Sequence, residues 1–416
     1  MPAQGAARPR QESRARQEPA PQVPLRLLRI VEAVAQHGSA TEAAAALHLS
    51  PSAVARAVQQ AETRFGIPLF DRGARGMSLT HAGTLLVPRV RQAFALLRAA
   101  AGPRLARRAT EGMLEALEAV AACGSETAAA QRLGVSQGAV HVRLRMLEHS
   151  ARGSILARTR RGTTLLPAGE ELLRHARVAA NELRIAYEEL GGLLGTSHGF
   201  VAIGALPMAA DALVPQAIAG LAAREPQVRV KIVDGTYEAL LQQLQHGEVD
   251  LVVGPLRGTT APPDVLEQQL FSEPLLPVVR AGHPVLKARR VTLRTLLRWP
   301  WVAPLPDTPA HRAFQRAFEQ ARLPVPPVTI QANSPAAVRG VLASSDSVAM
   351  LSPLQIRSEL AAGVLALVPC SVQGTERVIG IMRRAHGRPS RAAAALQEEL
   401  ERVAAAMARS STKRKA

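Results

Sequence analysis

Residues 38–83 read GSATEAAAALHLSPSAVARAVQQAETRFGIPLFDRGARGMSLTHAG, and residues 124–169 read GSETAAAQRLGVSQGAVHVRLRMLEHSARGSILARTRRGTTLLPAG. The second stretch is the first again, at a constant offset of 86 residues. Extended back to Leu27 and Met113, the alignment has about 21 identities in 57 positions and no gap. Gly38/Gly124, Ser39/Ser125, Leu47/Leu133, Ser50/Ser136, Val54/Val140, Glu62/Glu148, Arg72/Arg158 and Gly76/Gly162 all coincide. Two unrelated Ala-rich helical stretches would need shifts to match this punctuation, so one small supersecondary unit is duplicated.

Each copy reads as helix, helix, tight turn, helix, then a short basic hairpin. In copy one, Leu27, Ile30, Val31 and Val34 form the apolar stripe of a helix that stops at Gly38. Thr41 to His48 is the second helix, Leu49-Ser50 the turn, and Pro51 to Phe65 the third helix, with Pro tolerated in its first turn. Val54, Val58 and Ala61 fall on one face and point inward. The opposite face carries Ser52, Arg56 and Gln59, groups that suit base edges in a major groove. Taken alone, such a face is more often an ordinary solvated one. Gly73-Ala74-Arg75-Gly76 then forms a turn from which Arg72 and Arg75 can reach phosphate.

Outward from the repeat, Leu172, Ala176, Ala179, Leu183, Ala186, Leu190 and Leu193 alternate in steps of four and three, a heptad seam on one long helix. Copy one is followed by a shorter version, Leu86, Val90, Ala93, Leu97 and Ala100, interrupted by Pro88 and closed by Ala101-Gly102-Pro103. Either helix could instead pack on its own domain. From Gly199 onward, short β-rich runs (200–206, 228–233, 250–253, 275–279, 301–302, 347–351, 378–383) alternate with helical stretches, which reads as parallel α/β.

Composition bounds the function. The chain has 416 residues, 47% of them hydrophobic, and a net charge of +18 with only 3% aromatics. That balance favours Arg contacts to duplex phosphate over base stacking on single strands. The charge divides as +9 over 1–112, +1 over 113–196 and +8 over 197–416, so copy one and the segment before it are the more basic. Cys123 and Cys370 lie in different domains, a disulfide framework is unsupported, and a reducing cytoplasmic setting is expected. The first residues lack an apolar signal core and no run has the length of a membrane helix. There is no Gly-rich phosphate loop, metal-spaced His or Cys pair, or nucleophile elbow; no catalytic residue, metal or cofactor is expected.

At 38–83 the string resembles the winged helix-turn-helix of LysR-type transcriptional regulators, including Gly-Ser, Leu-His-x-Ser, Ala-Val, Leu-Phe, Arg-Gly and Ala-Gly. Ala55 stands where that family usually has Ser or Thr. Copy two keeps Ser136-Gln137, Arg158, Arg161 and Gly162 but has Val142 in place of Arg56 and Ala151-Arg152 in place of Phe65-Gly66. The strings at 206–256 and 299–324 look most like the galactose-binding-protein-regulator branch, and two tandem DNA-binding units are themselves a departure from the family.

The resemblance implies a multidomain protein: tandem all-α winged helix-turn-helix units, a long linker/dimerisation helix, and a two-lobed α/β effector domain similar to type-2 periplasmic binding proteins. The expected divisions are a disordered basic arm (1–24), copy one (25–83), a connecting helix (84–110), copy two (111–169), the linker helix (170–196), the effector domain (197–405) and a basic tail (406–416). Expected DNA contacts are Ser50, Ser52, Arg56, Gln59, Arg72 and Arg75 in copy one, and Ser136, Gln137, His141, Arg145, Arg158 and Arg161 in copy two. The seam residues would pair subunits, and Leu206, Pro207, Met208, Thr236, Thr308 and Ser334 would line an effector cleft, although each hydroxyl also suits a plain N-cap. Expected partners are duplex DNA, a small-molecule effector such as a sugar or sugar acid, further copies in a dimer or tetramer, and RNA polymerase. Two other classes fit parts of the chain: an architectural DNA-binding protein whose α/β domain only assembles, and a solute-binding protein.

Overall fold

The computed structural model describes residues 23–73, 76–151, 153–159, 162–196 and 199–412. The expected arm lies almost wholly outside them, and so do Arg75, Arg160 and Arg161. Residues up to Thr84 form one compact body and those from Leu85 a second.

The first body holds α1 (Leu25–His37), α2 (Ala40–Leu47), α3 (Pro51–Phe65) and an antiparallel hairpin, β1 (Phe70–Gly73) with β2 (Gly76–Leu79). Ser39 and Ser50 cap α2 and α3, accepting from Glu42 N and Ala53 N. Val54, Val58 and Ala61 are fully buried, as their spacing predicts. α4 (His81–Arg108) leads into the second body. Its backbone leaves helical geometry at Ala101 and Gly102, the expected stop, and resumes from Pro103. Pro88, expected to interrupt it, does not: in the second turn it removes only the amide that would reach Thr84.

Copy two repeats the plan as α5 (Glu111–Cys123), α6 (Glu126–Leu133), α7 (Gln137–Ala151), β3 (Leu156–Thr159) and β4 (Gly162–Leu165), followed by α8 (Pro167–Leu193). The second strand of each wing begins against the first helix's cap. Gly76 has φ 116° and Gly162 φ 132°, and a Cβ on either would stand 2.5 and 2.4 Å from the carbonyl oxygens of Gly38 and Gly124. Those oxygens accept from Met77 N and Thr163 N at 2.7 and 2.8 Å.

The remainder forms two lobes. Lobe one contains β5 (Phe200–Ala205), α9 (Pro207–Asp211), α10 (Leu213–Arg224), β6 (Arg229–Asp234), α11 (Tyr237–Gln245), β7 (Leu251–Pro255) and β8 (Val265–Glu273). Lobe two contains β9 (Leu276–Arg280), α12 (Leu293–Leu296), β10 (Trp301–Ala303), α13 (Pro309–Gln320), β11 (Val328–Gln331), α14 (Pro335–Ser344), β12 (Val348–Leu351), α15 (Arg357–Ala361) and β13 (Leu365–Leu367). The chain then returns to lobe one through β14 (Arg377–Arg384) and α16 (Arg391–Thr412). The sheet orders are β6-β5-β7-β14-β8 and β11-β10-β12-β9-β13.

Neither sheet is purely parallel, as the sequence suggested. β14 runs antiparallel to β7 and β8, and β9 antiparallel to β12 and β13, because the chain crosses between the lobes twice. Lobe one packs Val201, Ile203, Leu251 and Val253 against Leu213, Leu221, Leu396 and Leu400. Lobe two is centred on Trp301, Phe314 and Phe318, whose rings meet edge-on at 5.1–5.5 Å. The expected tail from 406 is helical through Thr412, since Met407 still lies in the lobe-one core. Among the described residues no helix is long and apolar enough to cross a membrane, and no group of His, Cys, Asp and Glu could hold a metal ion.

Candidate nucleic-acid interface and effector cleft

In copy one, α3 exposes Ser52, Arg56 and Gln59 on one face. Ser50 Oγ accepts from Ala53 N at 3.2 Å and lies 3.1 Å from Ser52 Oγ, so Ser50 is committed first to the turn. Glu62 at the other end accepts from Leu69 N and Phe70 N, at 2.8 and 3.1 Å, which fixes the hairpin to α3. Arg72 on β1 is exposed. Among the described residues, Arg56 and Arg72 make no ion pair, and both guanidinium groups stand available to an anion.

Copy two keeps the frame and changes the chemistry. Ser136 caps α7 through Ala139 N, and Gln137 and Arg145 are exposed. Arg158 and His141, expected at DNA, instead meet Glu126: Arg158 Nε donates at 3.0 Å, and His141 Nδ1 lies 3.0 Å away. Arg158 also reaches Glu148 at 3.4 Å. Glu126 stands where copy one has Ala40, so the acid that captures both side chains exists only here. Burial alone would raise the Glu126 pKa, but the bonds from Arg158 and His141 hold it below the usual carboxylate range. On α7, Val142 and Met146 are 55% and 51% exposed, in the places of Arg56 and Gln60. They line a groove of about 450 Å³ with His141, Arg145 and Arg108.

The expected effector residues stand at the carboxyl ends of parallel strands. Leu206, Pro207 and Met208 follow β5, Thr236 follows β6, Thr308 follows β10 and Ser334 follows β11. β5 and β6 are neighbours in one sheet, β10 and β11 in the other. Leu206 and Met208 are buried in lobe one. Thr236, Thr308 and Ser334 each cap the following helix, accepting from Ala239 N, His311 N and Ala337 N. Arg339 on α14 reaches Asp211 on α9 at 3.3 Å, so the turns after β5 and β11 face each other across the lobes. Arg339 also meets Glu359 at 3.0 Å.

Sequence reasoning did not single out four residues at the turns and crossings of the lobes, Tyr237, Arg257, Glu273 and Arg377. The Arg257 guanidinium lies 3.9 Å over the Tyr237 ring, and the Tyr237 hydroxyl and Arg257 Nε are inaccessible yet have no hydrogen-bond partner. Burial lowers the Arg257 pKa, and the like charge of Arg312, from α13 in the other lobe, adds to this. Glu273 ends β8 at one crossing, and Arg377 begins β14 at the other. They pair at 2.7 Å, both nearly inaccessible, and Ser352 donates a hydrogen bond to the same carboxylate. None of these has a motif: each acquires meaning only when distant strand ends are brought together.

The profile described as "Bacterial regulatory helix-turn-helix protein, lysR family" matches residues 25–84 and again 112–170. That described as "LysR substrate binding domain" matches 195–405. The chain belongs to the LysR family. It is a DNA-binding transcription regulator with an effector-binding domain, and it is not an enzyme. The HTH-type transcriptional regulator GalR of Pseudomonas putida is 34% identical over 381 residues, covering 89% of this chain and 94% of that one. That span is too long to leave out a whole winged unit. The fold matches a full-length OxyR variant from Pseudomonas aeruginosa (TM-score 0.54, 23% identity, 70% of this chain and 93% of that one). It also matches full-length CbnR complexed with its target DNA (TM-score 0.51, 18% identity, 70% and 98%). In both, nearly the whole partner is covered by seven-tenths of this chain, which leaves about the size of one extra winged unit and its connector.

Proposed function

We propose that this LysR-family regulator reads its operator chiefly through Arg56 and Gln59 of copy one, with Ser52, Arg72 and Arg75 beside them. The carrying observation is the contrast between the two third helices: α3 offers exposed polar groups, whereas α7 offers Val142 and Met146, and Arg158 and His141 are held by Glu126. Copy two then adds affinity through Ser136, Gln137, Arg145 and Arg161, with weak sequence preference.

The effector is a sugar-derived acid, bound between the lobes near Leu206, Pro207, Met208, Thr236, Thr308 and Ser334. Arg257 and Arg312 come from opposite lobes, and cations on both sides favour a hydroxylated carboxylate over a neutral sugar. The regulator works in the cytoplasm, where its DNA is, as a self-associating protein that acts on RNA polymerase. A thermal-shift screen of sugars and sugar acids tests the cleft, since a ligand bound only by the folded state stabilises it by mass action. A confirmed hit whose affinity survives Thr236→Val, Ser334→Ala and Arg257→Ala unchanged would place the site elsewhere.

A further inference from the structure

The heptad seam on α8 requires an apolar partner along its length, and within one chain it already has a cover. Leu172, Ala176, Ala179, Ala186 and Leu190 are at most 5% exposed, Leu183 is half-buried, and only Leu193 at the far end is open. From 172 to 190 the sole exposed residue is Ala180. One flank of α8 is taken by lobe one: Asn181 and Glu182 lie against Gly247 and Gly387, and Arg184 stands over Phe200.

The first turns of α8 pack on α5 and β4 of copy two, and the cover around Glu182 and Glu189 is identified by Arg89 of α4. Its side chain is 7% exposed; it pairs with Glu182 at 3.0 Å and with Glu189, two turns further along α8, at 2.8 Å. It also donates to the backbone carbonyls of Arg388 and Pro389. A cation bonded to both glutamates fixes α4 alongside α8 over those turns. Burial by itself would lower the Arg89 pKa, yet Glu189 and Glu182 together raise it, which matches a fully paired buried cation. On α4 the residues flanking Arg89, namely Leu86, Val90, Ala93 and Leu97, repeat the seam spacing and are at most 1% exposed. Both helices follow a copy of the duplicated unit.

We infer that α4 is the partner of α8 within the same chain, so the duplication has made internal the helix pairing that two separate copies would otherwise supply. Any further self-association uses surfaces other than the α8 seam.

A zero-length carbodiimide crosslink tests this in the full chain. In Arg89→Lys the new amine is expected to couple to Glu182 or Glu189. A 1:1 mixture of ordinary and ¹⁵N-labelled variant, unfolded and refolded together, should give coupled α4–α8 peptides that are wholly light or wholly heavy. Mixed-isotope peptides at about half the total would show pairing between chains and overturn the inference. Should the lysine variant fail to fold, hydrogen exchange of the unaltered protein decides. α4 and α8 peptides as well protected in the diluted monomer as at high concentration support the inference, and protection of α8 lost on dissociation overturns it.

Discussion

Arg158 of copy two donates to Glu126 across 3.0 Å, whereas its counterpart in copy one, Arg72, stands exposed with Ala40 at the position of that glutamate. One acidic residue thus sets the wing arginines of the two units apart. It adds a negative charge beside the wing and engages two positive or titratable groups, Arg158 and His141.

Glu126→Ala should therefore tighten DNA binding of the whole chain and steepen its salt dependence by about one phosphate contact, a log–log slope change of about 0.9. A salt-titrated binding assay checks this; an unchanged slope would mean that Arg158 gains no phosphate when released. The same substitution alters acid stability. Because the folded-state pKa of Glu126 is lowered, its stabilisation is complete above the unfolded carboxylate range and is lost as pH falls through the folded value. Urea midpoints should thus fall less steeply on acidification in Glu126→Ala than in the unaltered protein.

Arg56→Ala should cost about 1–3 kcal/mol of discrimination between operator and mismatched duplex. Arg145→Ala should instead weaken both duplexes alike. Competition binding on one operator separates them, and the opposite pattern would reverse the roles of the two copies.

Gly76→Ala and Gly162→Ala should each destabilise their winged unit by at least about 1–3 kcal/mol, from positive φ and from a Cβ driven into a carbonyl oxygen 2.4–2.5 Å away. Chemical denaturation measures the loss. Equal stability at either site would mean that the wing can leave the helix cap at little cost.

At the lobe crossings, Arg377→Met strands Glu273 without its cation in a buried site, a change of about 3–5 kcal/mol. Adding Glu273→Leu should recover much of the loss, since burial already raises the Glu273 pKa despite Arg377. A double variant as unstable as Arg377→Met alone would assign the effect to packing rather than to the charge.

Much of this architecture was legible because it is periodic or punctuated. The repeat, the buried face of α3 and the stop at Ala101-Gly102 follow from spacing and from Gly and Pro alone. The strands that escaped, β8, β11 and β13, are all at sheet edges, where one side lacks a neighbour and alternation weakens. β8 is also bulged opposite Ile379 and Gly380, which breaks its period. The DNA face could be read in copy one because it lies on a single helix. In copy two the deciding contact joins residues 126 and 158, and in the two-lobed domain Arg257 with Tyr237 and Glu273 with Arg377 join separate segments of the chain. Thr236, Thr308 and Ser334 could be placed, since an N-cap is local, but what they face depends on the fold.

The central claim, a regulator that selects operators through copy one, is tested most directly by genome-wide occupancy of the unaltered chain beside Arg56→Ala. The account predicts sharp peaks at few promoters for the first, and their loss, with residual diffuse binding, for the second. Broad coverage without peaks, or peaks that persist unchanged in Arg56→Ala, would contradict it.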